Sequence, residues 1–130
     1  MPVMIQFHCR LFYFMNLSGH WSFCENFDFG CDYGIAVLRQ KGNIITGTFV
    51  YVEHIFDEGE FTISVDVRGS VFEDQIAFEG IACRVIDPVE EAFEYYFDDR
   101  TGVIVDYDRI EGTSDDDQGV EGHFTLIRLA

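Results

Sequence analysis

From Gly19 onward, clusters of turn-forming residues cut the chain into segments of about 6 to 12 residues, the spacing expected of an all-β domain. Within the clearest segments apolar and polar residues alternate. Phe61, Ile63, Val65 and Val67 oppose Thr62, Ser64, Asp66 and Arg68, and Phe93, Tyr95 and Phe97 oppose Glu94, Tyr96 and Asp98. Residues two apart share a face of a strand, so each segment has one inner face. The pattern predicts strands over 19–25, 33–40, 44–55, 60–72, 75–86, 91–98, 103–112 and 120–129. The connectors carry turn chemistry: Lys41-Gly42-Asn43, Asp57-Glu58-Gly59, Glu73-Asp74, Asp87-Pro88, and the stretches 98–102 and 114–119. No stretch has helical periodicity beyond a single turn at 88–92.

Strands joined in series by short connectors favour an up-and-down order. Closing that order removes the edges that so apolar a sheet would expose, so an eight-stranded antiparallel up-and-down β-barrel is expected in preference to a sandwich. The chain of 130 residues is long enough for one core, and its 14 Phe and 6 Tyr suit strands. Residues 17–130 are read as the barrel domain and 1–16 as an N-terminal strand or arm, in which Ile5, Phe7, Cys9 and Leu11 alternate with Gln6, His8 and Arg10. Arg10 inside that apolar run, with no small-residue cleavage site after it, departs from a signal peptide. A cytoplasmic location is expected, with export left open.

Eight basic against 24 acidic residues give a formal net charge of −16. That charge opposes binding to phosphate backbones or anionic lipid, so nucleic acid is not expected as a partner. No run reaches the roughly 18 apolar residues of a membrane helix, so membrane insertion is not expected. Cys9, Cys24, Cys31 and Cys83 lack the paired spacing of a zinc site and are read as free thiols; Cys24 and Cys31 could close one loop in an exported protein. His20 and His123 fall on the first and last strands, where they could be neighbours, but two histidines make a poor metal site. Asp115-Asp116-Asp117-Gln118-Gly119 does not match a calcium loop and reads as a solvated turn. No nucleophile motif or phosphate-cradling loop is present. The expectation is therefore no metal, no cofactor and no enzyme, with catalysis on the same scaffold as the least favoured reading.

Leu17-Ser18-Gly19-His20-Trp21 resembles the opening G-x-W strand of the calycin superfamily, the lipocalins, fatty-acid-binding proteins and avidins. The resemblance implies that Trp21 closes one barrel end beneath a cation from the last strand, where Arg128 stands. The segment GNIITGTF from Gly42 to Phe49 is similar to the avidin third strand, and GHFTLIRL from Gly122 to Leu129 to the avidin last strand. The polar groups that hold biotin in avidins are replaced: the matching positions carry Phe23, Cys31, Phe49 and Phe124. Leaving a polar ligand head unpaired costs about 1–3 kcal/mol per group, so the chain is expected not to bind biotin.

If Trp21 and Phe124 point inward, alternation adds Phe23, Phe49, Tyr51, Tyr95, Tyr107, Leu126 and Arg128 to the interior. A barrel of eight strands is wide enough to be filled by side chains or to hold one small ligand. The cavity candidates are Phe23, Phe49, Tyr51, Tyr95, Tyr107, Arg109 and Phe124. In the phase that puts Val103, Val105 and Tyr107 inside, Arg109 is inside too and needs a partner, either Glu53 or Glu111 or a ligand carboxylate. The opposite phase turns Ile104 and Ile110 inward instead. The connectors at the end away from Trp21 carry Glu25, Asp28, Asp32, Asp57, Glu58, Asp87, Glu90, Asp115, Asp116 and Asp117 without Lys or Arg, a mouth that repels carboxylates. The first reading is thus a barrel binding a small apolar or neutral molecule. The alternative is a filled barrel acting through its acidic surface or as a homo-oligomer, with Val50 and Val52 on the outer wall as a subunit contact.

Overall fold

The computed structural model describes residues 15–88 and 97–129. These residues form eight strands and no helix: β1 (Gly19–Phe27), β2 (Gly30–Lys41), β3 (Ile44–Ile55), β4 (Gly59–Phe72), β5 (Gln75–Asp87), β6 (Asp98–Asp106), β7 (Arg109–Asp116) and β8 (Glu121–Arg128). Each pairs antiparallel with the next, and β8 returns to β1, so the sheet is a closed barrel in strict up-and-down order. The first five strands and the last lie close to where alternation and turn residues place them.

The sixth and seventh strands differ. The expected strand 91–98, with Phe93 and Tyr95, lies outside the described residues except at its end, where Phe97 is half-buried. β6 begins at Asp98, inside the stretch 98–102 expected as a turn, because Asp98 and Arg100 face inward and are paired there. The expected strand 103–112 is broken instead at Tyr107-Asp108, where the Asp106 carboxylate accepts a hydrogen bond from the Asp108 amide at 2.8 Å. An Asx turn therefore ends β6, and the second half of the predicted strand becomes β7 running back.

Inside the barrel, one face of every strand meets its counterparts. Trp21 and Phe23 of β1, Ala36 and Leu38 of β2, Ile45, Phe49 and Tyr51 of β3, and Ile63, Val65 and Val67 of β4 are all buried. So are Ile76 and Phe78 of β5, Ile104 of β6, Ile110 of β7, and Phe124 and Leu126 of β8. Each large side chain so placed contributes about 1.5–3 kcal/mol through burial. Curvature comes from inward-facing glycines and irregular registers. Gly102 and Gly112 sit opposite one another on β6 and β7. A methyl group on Gly112 would meet the Thr101 carbonyl and stand 2.8 Å from the Phe124 ring. The two bare backbones are what let that ring lie across the barrel. Register shifts between β4 and β5, and between Ile104 and Asp106 of β6, add further bends.

Trp21 plugs one end. Its indole N–H donates to the Leu17 carbonyl at 2.9 Å, and the Arg128 guanidinium lies 4.4 Å from the indole centroid. Arg128 is the β8 residue paired with Trp21 across the β1–β8 seam. It also stacks on Tyr107 at 3.9 Å and donates to the carbonyls of Tyr107, Ser18 and Asn16. The closure expected of Trp21 and Arg128 is thus present, and it ties the segment before β1 to the last strand.

Candidate ligand site at the acidic end of the barrel

The same alternation that builds the apolar half carries ionisable groups into the other half. Beyond Trp21 and Phe23, the next inward residue of β1 is Glu25, and beyond Phe49 and Tyr51 on β3 it is Glu53. On β2 the inward row reaches Asp32, on β6 Asp98 and Arg100, and on β7 Ser114 and Asp116. Asp32 lies directly opposite Glu25 on one side and Glu53 on the other, so three carboxyls stand in a row across β1, β2 and β3. All of these lie toward the end opposite Trp21. The interior therefore has an apolar floor and an acidic upper storey.

Between the two storeys is a layer of rings. Phe23 packs against Phe49 at 5.0 Å and Tyr51 at 5.3 Å, and Phe49 against Phe78 at 5.8 Å. The Arg100 guanidinium caps this layer, 5.0 Å from the Phe23 centroid and 5.5 Å from that of Phe49. It holds Glu25 in a two-point pair, Nε to Oε2 at 2.7 Å and Nη2 to Oε1 at 3.0 Å, and reaches Asp98 at 3.2 Å. Side-chain exposure is only 2% for Arg100 and 3% for Glu25, so the pair is desolvated and each partner depends on the other. Burial works against the Arg100 charge, but the Glu25 carboxylate outweighs it and raises the guanidinium above its ordinary range.

The remaining carboxyls are held in a different state. Asp32 is 1% exposed, and neither oxygen has a hydrogen-bond partner while it and Glu53 are both ionised. Burial first, then the charges of Glu53 and Glu25, push its carboxyl up to about 10. Glu53 is raised as well, chiefly by burial. Two facing carboxyls so placed keep one proton between them near neutral pH, and that proton makes the hydrogen bond that Asp32 lacks when ionised. Asp98 is pushed up to about 7 by burial, with Arg100 pulling the other way.

Of the residues expected to line a cavity, Phe23, Phe49, Tyr51 and Phe124 are inside and buried. Tyr95 lies outside the described residues. Tyr107 and Arg109 are corrections. Tyr107 is 56% exposed in the β6–β7 turn, and the Arg109 side chain is 46% exposed on the outer wall, paired with Glu111 at 2.6 Å. The reason is phase: Ile104 and Ile110 turn inward, which sends Val103, Val105 and Arg109 out. A buried guanidinium with an internal glutamate does exist, but it is Arg100 with Glu25. The signal is present in the sequence, since extending the inward rows by one step past Phe23, Tyr51 and Gly34 reaches Glu25, Glu53 and Asp32. Glu25 and Asp32 bound a stretch that also holds Asn26, Asp28 and Gly30, the composition of a turn, which is why they read as rim or connector from the sequence.

His123 lies opposite Asn26, six residues along β1 from His20, so the two histidines are not neighbours. Cys24, Cys31 and Cys83 are free thiols. Among the described residues, no three His, Cys, Asp or Glu side chains are grouped so as to hold a metal ion. A separate open groove of about 550 Å³ lies on the outer wall of β4 to β7, with Phe72 and Val103 among its lining.

No protein-family model matches the sequence, and no curated protein matches it. Solved structures match the barrel. A redesigned β-barrel, mFAP1, bound to DFHBI, superposes with a TM-score of 0.67 at 10% identity, over 93% of this chain and 98% of that one. The likeness is one of fold. A de novo designed fluorescence-activating β-barrel matches with a TM-score of 0.65 at 17% identity, over 90% and 94% of the two chains. EF1p2_mFAP2b bound to DFHBI matches with a TM-score of 0.62 at 12% identity, over 87% and 94%.

Proposed function

We propose that this chain is a small-molecule-binding barrel, not an enzyme, whose ligand enters at the end opposite Trp21 and is held among the ionisable groups above the aromatic layer of Phe23, Phe49 and Tyr51. The observation that carries this reading is Asp32, a buried carboxyl whose two oxygens have no partner when ionised, set in a polar storey that a filled structural barrel has no use for. Even when a proton shared with Glu53 satisfies it, a buried carboxyl pair is no more stabilising than well-packed apolar side chains, so stability alone does not account for it. The solved barrels bound to DFHBI support the idea that this architecture accommodates one compact guest. The G-x-W opening strand and the Arg128 stack support a place among the calycins. The free thiols support work in a reducing compartment.

The test is a fragment screen by two-dimensional NMR on the full chain. Binding should shift the resonances of Tyr51, Asp32, Glu53 and Arg100 together. A screen whose hits perturb only outer-wall residues would refute the reading.

One observation favours a second reading, an assembly through the outer face of β2 and β3. There Tyr33 lies opposite Val52 and Ile35 opposite Val50, and Tyr33, Ile35 and Val50 are exposed. Four apolar side chains in one block on so acidic a molecule suit a subunit contact. Sedimentation of the chain and of Val50→Glu decides it: a dimer that the substitution dissociates supports this reading, and a monomer at high concentration removes it.

A further inference from the structure

The acidic storey holds more negative groups than its own cation can match. Arg100 satisfies Glu25 with two hydrogen bonds and Asp98 with a third, and neither oxygen of Asp32 receives a hydrogen bond from it. Asp32 is faced by Glu25 from β1, by Glu53 from β3, by Arg100 from β6 and, through Glu53, by Asp116 of β7. Asp116 is itself occupied, because its carboxylate accepts the amides of Gln118 and Val120 at 2.8 and 3.0 Å. What is left is a carboxyl pair, one member fully buried and one half-buried, above a floor of aromatic rings.

From this arrangement we infer that the ligand is a small organic cation, a protonated amine carried on an apolar or aromatic group, whose N–H groups are received by Asp32 and Glu53. The inference rests on the binding reading above and specifies its ligand class. Arg100 already shows how this interior seats a cation, with its charge against carboxylate oxygens and its flat face over Phe23 and Phe49. An ammonium beside Asp32 would repeat that arrangement with the rings of Phe23 and Tyr51 below. A neutral ligand would leave the Asp32–Glu53 proton in place, and a carboxylate would add a fifth acidic group to Glu25, Asp32, Glu53 and Asp98. A bare metal ion is disfavoured because the carboxyls lie in a row instead of converging in threes. Charge is balanced by exchange: the amine enters with its positive charge, and the proton shared by Asp32 and Glu53 leaves to solvent.

The experiment is calorimetric titration of the full chain with 2-phenylethylamine, its neutral counterpart 2-phenylethanol, the anion 3-phenylpropionate, and calcium chloride. The amine should bind at least tenfold more tightly than the alcohol at pH 8. Its affinity should rise with pH by up to tenfold per unit between pH 6 and 8, with up to one proton released per ligand as read from buffers of different ionisation enthalpy. Asp32→Asn and, as a second variant, Glu53→Gln should each lower amine affinity at least tenfold and leave the alcohol unchanged, with melting curves confirming that both fold. If the alcohol or the anion binds as tightly as the amine, the cation inference is overturned and the binding reading stands. Calcium binding that either variant abolishes would also overturn it, in favour of an inorganic cation. If none of the four binds at millimolar concentration, both readings fall together.

Discussion

Asp32 is the residue on which the energetics of this barrel turn. A carboxyl raised from its ordinary range of about 4 to about 10 carries a proton in the folded chain that the unfolded chain has released. Its contribution to stability is complete below about pH 4 and is lost as pH rises through the folded value, and Asp98, raised to about 7, acts in the same direction over a narrower window. Stability should therefore fall from about pH 5.5 to about pH 8.5. Asp32→Asn, which is neutral at every pH and has the same shape, should be more stable than the natural chain by about 1–3 kcal/mol at about pH 8.5, the gap narrowing as pH falls. Urea denaturation at three pH values across that window measures this, and a gap independent of pH would show that Asp32 is ionised in the folded state. Arg100 gives the opposite result. Arg100→Met leaves Glu25 buried without its partner and should cost about 3–5 kcal/mol, whereas Glu25→Leu combined with Arg100→Met should recover most of that loss. Denaturation of the single and double variants checks both halves of the expectation.

At the scale of the strands, the sharpest constraint is the place where β6, β7 and β8 meet. Gly102 and Gly112 are opposed, and the Phe124 ring occupies the space their missing side chains leave. Gly112→Ala would drive a methyl group into the Thr101 carbonyl and the edge of Phe124, so the strands must part or the ring must turn. A cost of ~3 kcal/mol is expected, at the upper end of the range for overpacked cores, and Phe124→Leu in the same chain should restore part of it. Thermal melts of the single and double variants read this directly; a Gly112→Ala chain as stable as the parent would mean that the β6–β7 pair has more freedom than its register indicates. β6 also marks where strand prediction fails. Its sequence from Asp98 to Gly102 has the composition of a turn, and only the pairing of Asp98 and Arg100 inside the barrel makes it a strand.

For the molecule as a whole, a formal charge of −16 on a closed barrel means that folding concentrates like charges. Added salt screens that repulsion over a Debye length of about 10 Å at 0.1 M. The melting temperature should rise between low salt and about 0.5 M sodium chloride, as followed by circular dichroism; a fall would indicate that ion pairs outweigh the repulsion. Most of the barrel was legible in the chain because period-two alternation is a local property: Ile63, Val65 and Val67 on one side and Thr62, Ser64 and Asp66 on the other need no distant partner to declare their faces. The Trp21 closure was expected from the resemblance of Leu17 to Trp21 to the calycin opening strand, with Arg128 standing where that resemblance puts the cation. The candidate site was not. Glu25, Asp32, Glu53 and Arg100 are separated by up to 75 residues, and each resembles a surface residue in its own segment. Only closure of β8 onto β1, which puts every inward row around one axis, decides that these charges share a dry interior and must be paired, protonated or met by a ligand.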